Sequence, residues 1–223
     1  MSDTKLHDWR IEEREYRRQE ERRGRRHAYE TLAPATTALV VVDMVPFFVA
    51  ESAYCRGIVP NINAIAASLR AAGGLVAWVV PGAPRHPGHH RGFYGEKVAA
   101  LYAGSGGTGP LPSRVWPGLA QDANDLFVEK PGPSAFLPGY CELPEMLRSR
   151  GIDTVLITGT VTNVCCESSA RDASSTGFRV VMVADGNAAI RDETHNATLH
   201  TIYRSFGDVR PTAEVIGLIE KRV

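Results

Sequence analysis

Residues 154–173 read TVLITGTVTNVCCESSARDA. The apolar run Thr154–Thr158 predicts a buried strand of a parallel sheet, because such strands are covered on both faces and need not alternate with polar residues. Gly159 breaks the run, and a polar turn leads into Cys165 at a helix start. A helix N-terminus gathers free backbone N–H groups and the positive end of the helix dipole, which favours thiolate over thiol. Strand-to-helix junctions are also where α/β sheets place their ligands. Taken alone, the segment leaves two alternatives open: a reactive thiol, or a structural cysteine of the kind proteins commonly bury.

Outward from this segment, short apolar runs alternate with stretches of helix length. ALVVVD (38–43), LVAWVV (75–80), DLFVEK (125–130), TVLIT (154–158) and FRVVMVAD (178–185) read as strands, with a short last one at 208–210. Helices are expected at about 60–72, closed by Gly73-Gly74, and at 142–150, 164–176, 194–206 and 213–221. This order predicts an α/β three-layer sandwich: a central, mainly parallel sheet with helices on both faces. The stretch 81–118 breaks the rhythm. It is rich in Gly and Pro and carries Arg85, His86, His89, His90, Arg91 and Arg114. Leaving the C-terminal end of the second strand, it reads as a substrate lid.

Residues 1–30 form a separate segment, followed by a domain over 31–223. The run IEEREYRRQEERRGRRHAYE holds both signs of charge, with Glu13–Arg17 and Glu21–Arg25 at helical i,i+4 spacing. Its apolar residues, Leu6, Trp9, Ile11, Tyr16 and Tyr29, are too sparse for a core of their own. The segment is therefore expected to be a helical arm, either solvated or packed on a neighbouring subunit. The whole chain balances 25 basic against 25 acidic residues. That gives no case for nucleic acid or an acidic membrane surface as a partner. A charged N-terminus and the absence of a long apolar run argue against a signal peptide or transmembrane span. Cys55, Cys141, Cys165 and Cys166 follow no zinc-ligand spacing, and adjacent cysteines rarely pair, so a cytoplasmic chain with free thiols is expected.

Three polar residues end buried strands or begin the helix after one: Asp43, Lys130 and Cys165. If their strands are parallel neighbours, a nucleophile, a base and a cation converge on one rim, as covalent catalysis requires. Singly, Asp43 could cap a turn and Lys130 could be a surface charge.

VVDM at the first strand, EKPGPSAF around Lys130 and GTVTNVCCESSARDA around Cys165 make the chain resemble the isochorismatase-like cysteine hydrolases, from about Thr37 to the C-terminus. The resemblance is to the amidohydrolase branch, which includes ureidoacrylate, biuret and N-carbamoylsarcosine amidohydrolases. It implies Asp43 as general base, Lys130 as the cation beside it and Cys165 as nucleophile, with Cys166 a packing residue. It also implies a cis Thr160–Val161 peptide and an oxyanion hole made by the Val161 and Cys165 amides. Phe48, Ser134, Phe136 and Thr162 are expected to line the substrate pocket, and one lid arginine could hold a substrate carboxylate. The lid histidines lack the companion Asp pattern of the nicotinamidases, so neither a metal nor a cofactor is expected. The implied activity is hydrolysis of a C–N bond in a small linear amide or ureide through a cysteine thioester. Vinyl-ether hydrolysis, a nicotinamidase-like amidase and a non-catalytic oligomeric family member are the alternatives. By the same resemblance a homo-oligomer, dimer or tetramer, is expected, with the arm as a possible clasp.

Overall fold

The computed structural model describes residues 3–221. Six parallel strands form one sheet: β1 (Thr37–Val42), β2 (Leu75–Pro81), β3 (Leu126–Lys130), β4 (Thr154–Thr160), β5 (Arg179–Ala188) and β6 (Asp208–Arg210). Their spatial order is β3-β2-β1-β4-β5-β6. The chain first winds outward through β2 and β3, then returns to the far side of β1. The reversal between β1 and β4 opens a crevice at the carboxyl ends of those strands, where ligands bind in open α/β sheets. At that end Val42 lies beside Gly159. Gly159 has φ +114°, and a Cβ there would fall 2.1 Å from the Val42 carbonyl oxygen. Only glycine lets the two strands approach so closely at the rim.

Successive residues of β1 feed opposite cores, which is the period-two geometry of a strand. Ala38, Val40 and Val42 face Leu143, Leu147, Ala170, Ala173, Leu199 and Ile202. These come from α7 (Leu143–Arg148), α8 (Glu167–Ser175) and α9 (Asp192–Ser205). Leu39 and Val41 face Ile58, Ile62, Ile65 and Leu69 of α3 (Ala53–Ala71) and Val215, Leu218 and Ile219 of α10 (Thr212–Glu220). Each fully buried aliphatic side chain contributes about 1.5–3 kcal/mol of transfer free energy. The three-layer sandwich thus closes on two separate apolar faces.

Helix α3 begins seven residues before the expected start at Pro60. Ser52 caps it, its hydroxyl accepting from the Cys55 amide at 3.1 Å. Pro60 lies inside the helix rather than opening it. The stretch 81–118 contains three short helices, α4 (Pro87–Tyr94), α5 (Glu96–Ala103) and α6 (Leu111–Arg114), between its glycines and prolines. Among the described residues, no helix is long and apolar enough to cross a membrane.

Among the described residues of the N-terminal arm, only Glu13–Arg23 (α1) is helical. Instead of standing in solvent, the arm docks on its own domain. Ile11 joins the core beneath α9, with Trp9 and Tyr16 packed against it. The Lys5 amide donates to the Ala53 carbonyl at 3.0 Å, and Arg56 donates to the Asp3 carbonyl. His7 is buried, its ring stacked between Tyr54 (centroids 3.9 Å apart) and His195 (4.2 Å). Its Nδ1 lies 2.6 Å from the Asp192 carboxylate, and its Nε2 accepts from the Ala189 amide at 2.9 Å. Accepting at Nε2 leaves the proton on Nδ1, so the ring is neutral in this position.

Candidate active site

Asp43 leaves β1 with φ +55°, a left-handed conformation that Asp tolerates better than most residues. Its amide donates to the Val79 carbonyl and its carbonyl accepts from the Val45 amide, both at 2.8 Å. The tight turn aims the carboxylate into the crevice. Lys130, the last residue of β3, reaches across β2 so that Nζ lies 2.8 Å from Asp43 Oδ2, with both side chains buried. The same ammonium donates to the Gly132 carbonyl at 3.0 Å and to Cys165 Sγ at 3.5 Å. All three ammonium protons therefore have partners. Cys165 sits in a π-helical turn, Thr162–Cys166, between the end of β4 and α8. Such turns cluster at functional sites because the wider ring re-aims a side chain. The Thr160–Val161 peptide that enters the turn is cis.

Burial dominates the electrostatics of this trio. It raises the Asp43 pKa above its usual value, against the pull of Lys130. Burial would lower Lys130, but the adjoining Asp43 and Cys165 outweigh it and raise the ammonium pKa. The Cys165 thiol is pushed up to about 12, first by burial and then by the Asp43 carboxylate, with Lys130 opposing. At neutral pH the resting site is thus an ion pair beside a neutral thiol. The expectation that a helix start alone would favour the thiolate does not hold here: desolvation and a neighbouring anion exceed what the first-turn amides supply. Cys166 is wholly buried against the sheet, its thiol held well above the usual value by burial.

The trio forms the floor of a cavity of about 220 Å³. Phe48, His90, Tyr94, Tyr102, Ser105 and Val164 are among its walls. Of the four residues expected to line the pocket, only Phe48 does so. Phe136 turns into the core, edge-on to Phe178 with centroids 5.4 Å apart. Ser134 is buried and uses its hydroxyl to accept from the Phe136 amide, bracing the turn after Lys130. Thr162 is buried beneath the cavity wall, its hydroxyl 3.0 Å from His195 Nδ1. These three support the walls from behind.

The lid arginines are committed elsewhere. Arg114 donates to the Gly106 and Pro81 carbonyls and to Glu129, tying the lid to β2 and β3. Arg85 donates to the Gly139 and Tyr140 carbonyls, and Arg91 lies exposed 3.8 Å from Glu96. The histidines disperse as well. His86 bonds the Tyr140 hydroxyl at 2.9 Å, His89 is exposed, and His90 enters the cavity wall. Tyr94 and Tyr102 escaped the sequence reading because only the folding of α4 and α5 over the crevice brings them there, whereas His90 was among the histidines expected in the lid. The aromatic spacing Phe93-Tyr94…Tyr102 in an otherwise Gly/Pro-rich lid was the available signal.

The site is thus a buried ion pair against a thiol, at the switch point of a parallel α/β sheet. The Isochorismatase domain family matches residues 37–214. An uncharacterized isochorismatase family protein of Bacillus subtilis, YwoC, is 30% identical over 183 residues, 81% of this chain and 92% of its own. The ureidoacrylate amidohydrolase RutB of Klebsiella variicola is 32% identical over 193 residues, 75% of this chain and 76% of its own. Among solved structures, a cysteine hydrolase from Pseudomonas syringae pv. phaseolicola superposes with a TM-score of 0.72 at 29% identity, covering 99% of each chain. This chain belongs to the isochorismatase family of hydrolases.

Proposed function

We propose that this protein is an amidohydrolase that cleaves a C–N bond of a small amide or ureide through a thioester on Cys165. The observation that carries the reading is the position of Lys130, 2.8 Å from Asp43 and 3.5 Å from Cys165 at the floor of one cavity. The name of the relative RutB, which acts on ureidoacrylate, supports C–N hydrolysis.

In this mechanism Asp43 accepts the thiol proton as the Cys165 sulfur attacks the carbonyl carbon. The raised thiol pKa opposes that transfer at rest, while the raised carboxylate pKa makes Asp43 a stronger base for it, so the proton moves as the C–S bond forms. Lys130 remains charged throughout and holds Asp43 in register. The carbonyl oxygen becomes an oxyanion taken up by the amides of Val161 and Cys165, two residues of the cavity wall. A donor of that kind is typically worth about 2.7–4 kcal/mol in the transition state. Asp43 then returns the proton to the departing nitrogen as the C–N bond breaks. Water, deprotonated by the same carboxylate, attacks the thioester, releases the acid and restores the thiol.

The test is ammonia release across a panel of amides and ureides, with Cys165→Ser run in parallel. Turnover that vanishes in the variant, with an acyl adduct on Cys165 trapped by acid quench and seen by mass spectrometry, is the expected result. Turnover that survives the substitution would overturn the assignment.

A further inference from the structure

The walls over Cys165 say what the acyl half of the substrate is. We infer that it is uncharged and largely apolar, so that the substrate is a small neutral carboxamide and carboxylate-bearing amides and ureides are rejected. The inference rests on the reading of Cys165 as nucleophile and adds the chemistry of the group that nucleophile receives.

Three observations carry it. First, the two charged side chains in the wall, Asp43 and Lys130, are bound to each other. The three protons of Lys130 are taken by Asp43, Gly132 and Cys165, so the cation has none left for a substrate anion. Second, none of the three lid arginines is part of the wall, and Arg91 is exposed beside Glu96. Arg114 spends its three nitrogens on Gly106, Glu129 and Pro81, and Arg85 binds the 139–140 backbone. Third, the rest of the wall is apolar or neutral. The rings of Phe48, Tyr94 and Tyr102 and the prolines Pro81, Pro84, Pro131 and Pro133 are all part of the wall.

A carboxylate placed among these groups would lose its hydration without gaining a cation and would stand near the Asp43 anion. Both effects oppose binding, because a buried carboxylate without a partner regains nothing for the hydration it loses. A neutral ring or short aliphatic chain loses only its apolar hydration and gains the aromatic walls. The cavity, about 220 Å³, is below the usual range for drug-sized ligands, which restricts the acyl group to about one ring. The remaining polar side chains of the wall are Ser105, the two tyrosines and His90. His90 Nδ1 is buried without a hydrogen-bond partner, and it lies on the wall next to Tyr94, with ring centroids 5.7 Å apart. A neutral hydroxyl, ring nitrogen or amide on the acyl group would satisfy it.

The experiment compares molecules that differ only in one distal charge. Ammonia release is measured from benzamide and 3-carboxybenzamide, and from butanamide and succinamate. In parallel, benzaldehyde and 3-carboxybenzaldehyde are titrated for protection of Cys165 against iodoacetamide. An aldehyde adds the thiol reversibly: the sulfur bonds to the carbonyl carbon and the proton moves to its oxygen. The protection assay therefore reads the acyl subsite without any turnover. The expected result is a preference of at least tenfold for the neutral member, in kcat/KM and in protecting concentration. Parity, preference for the carboxylates, or no protection by either aldehyde would overturn the inference.

A second variant reads the same wall from the other side. Tyr102→Arg is expected to shift the protection ratio at least tenfold toward the carboxylate, and an unchanged ratio would place the acyl group elsewhere. The two readings fail separately. Selective protection of Cys165 with no ammonia from any amide would sink the amidohydrolase and keep the neutral subsite. Turnover favouring carboxylates would do the reverse.

Discussion

Lys130 holds Asp43 across 2.8 Å with both side chains buried, and this ion pair bears on the thiol beside it. The carboxylate raises the thiol pKa while the ammonium opposes that rise, so removing one partner exposes the effect of the other.

Asp43→Asn is the informative substitution. It removes the anion that raises the Cys165 pKa and leaves Lys130 facing the sulfur. The thiol pKa should fall from about 12, read as thiolate ultraviolet absorbance against pH. Turnover should fall by about 10²–10⁴, the usual worth of a positioned general base. A more acidic thiol in a less active enzyme separates general-base catalysis from simple thiolate activation. A thiol pKa that stayed put would mean the two side chains are not coupled.

The two adjacent cysteines should part company. Cys165 lines the cavity, whereas Cys166 is fully buried in the core beneath the sheet. Cys165→Ala is expected to abolish ammonia release without lowering the unfolding midpoint appreciably. Cys166→Ala should keep most turnover and lose about 1 kcal/mol of stability from the packing it vacates. Kinetics and urea titration of the pair would expose an exchange of roles at once.

Stability should have a plateau near neutrality with a limb on each side. Burial depresses His195 from 6.5 to about 3, so between those values the unfolded chain binds a proton that the native ring refuses. Stability is then present above 6.5 and lost as pH falls toward 3. Cys165 works in the opposite sense. Raised from 9.0 to about 12, it keeps its proton in the native state when the unfolded thiol has lost its own, and stability declines as pH climbs through that window. Asp43, raised above 3.8, adds a slope of the opposite sign above that value. Urea midpoints should therefore be highest between about 6.5 and 9, the unperturbed values of the two groups. His195→Asn should flatten the acid limb, and an unaltered limb would assign it to other groups.

The strands and the trio were legible because each strand is an uninterrupted apolar run ending in a polar residue, as in ALVVVD and DLFVEK. A parallel sheet then brings those ends together with no further information. The pocket walls were not legible in the same way. Phe136 and Tyr102 are both aromatics near the rim, and which one turns inward depends on how the 131–136 turn and α5 pack. The state of the thiol was also misjudged from local signals. Helix position is visible in sequence, but burial and the approach of Asp43 are tertiary facts. The start of α3 was missed because Pro60 resembles a first-turn proline, while Ser52, the true cap, lies in a stretch with no other helix signal.

The arm offers a test that spares its own residues. Gly57 lies inside α3 where the Lys5 backbone crosses it, and a Cβ there would fall 1.8 Å from the Lys5 carbonyl oxygen. Glycine in a helix interior is otherwise a cost, so Gly57→Ala in a bare helix would stabilise by about 1 kcal/mol. In this fold the methyl must push the arm outward. That would loosen the Lys5–Ala53 bond, the stack of His7 on Tyr54 and His195, and with it the bracing of Thr162 in the turn that carries Cys165. The expected result is a lower unfolding midpoint and faster proteolysis within residues 3–12. His7→Ala, which removes the stack and its two hydrogen bonds directly, should lower the midpoint too, by about 2–4 kcal/mol in stability. A gain in stability from Gly57→Ala would mean that the arm rests on the domain without holding it, and the propensity of the helix alone would then set the sign.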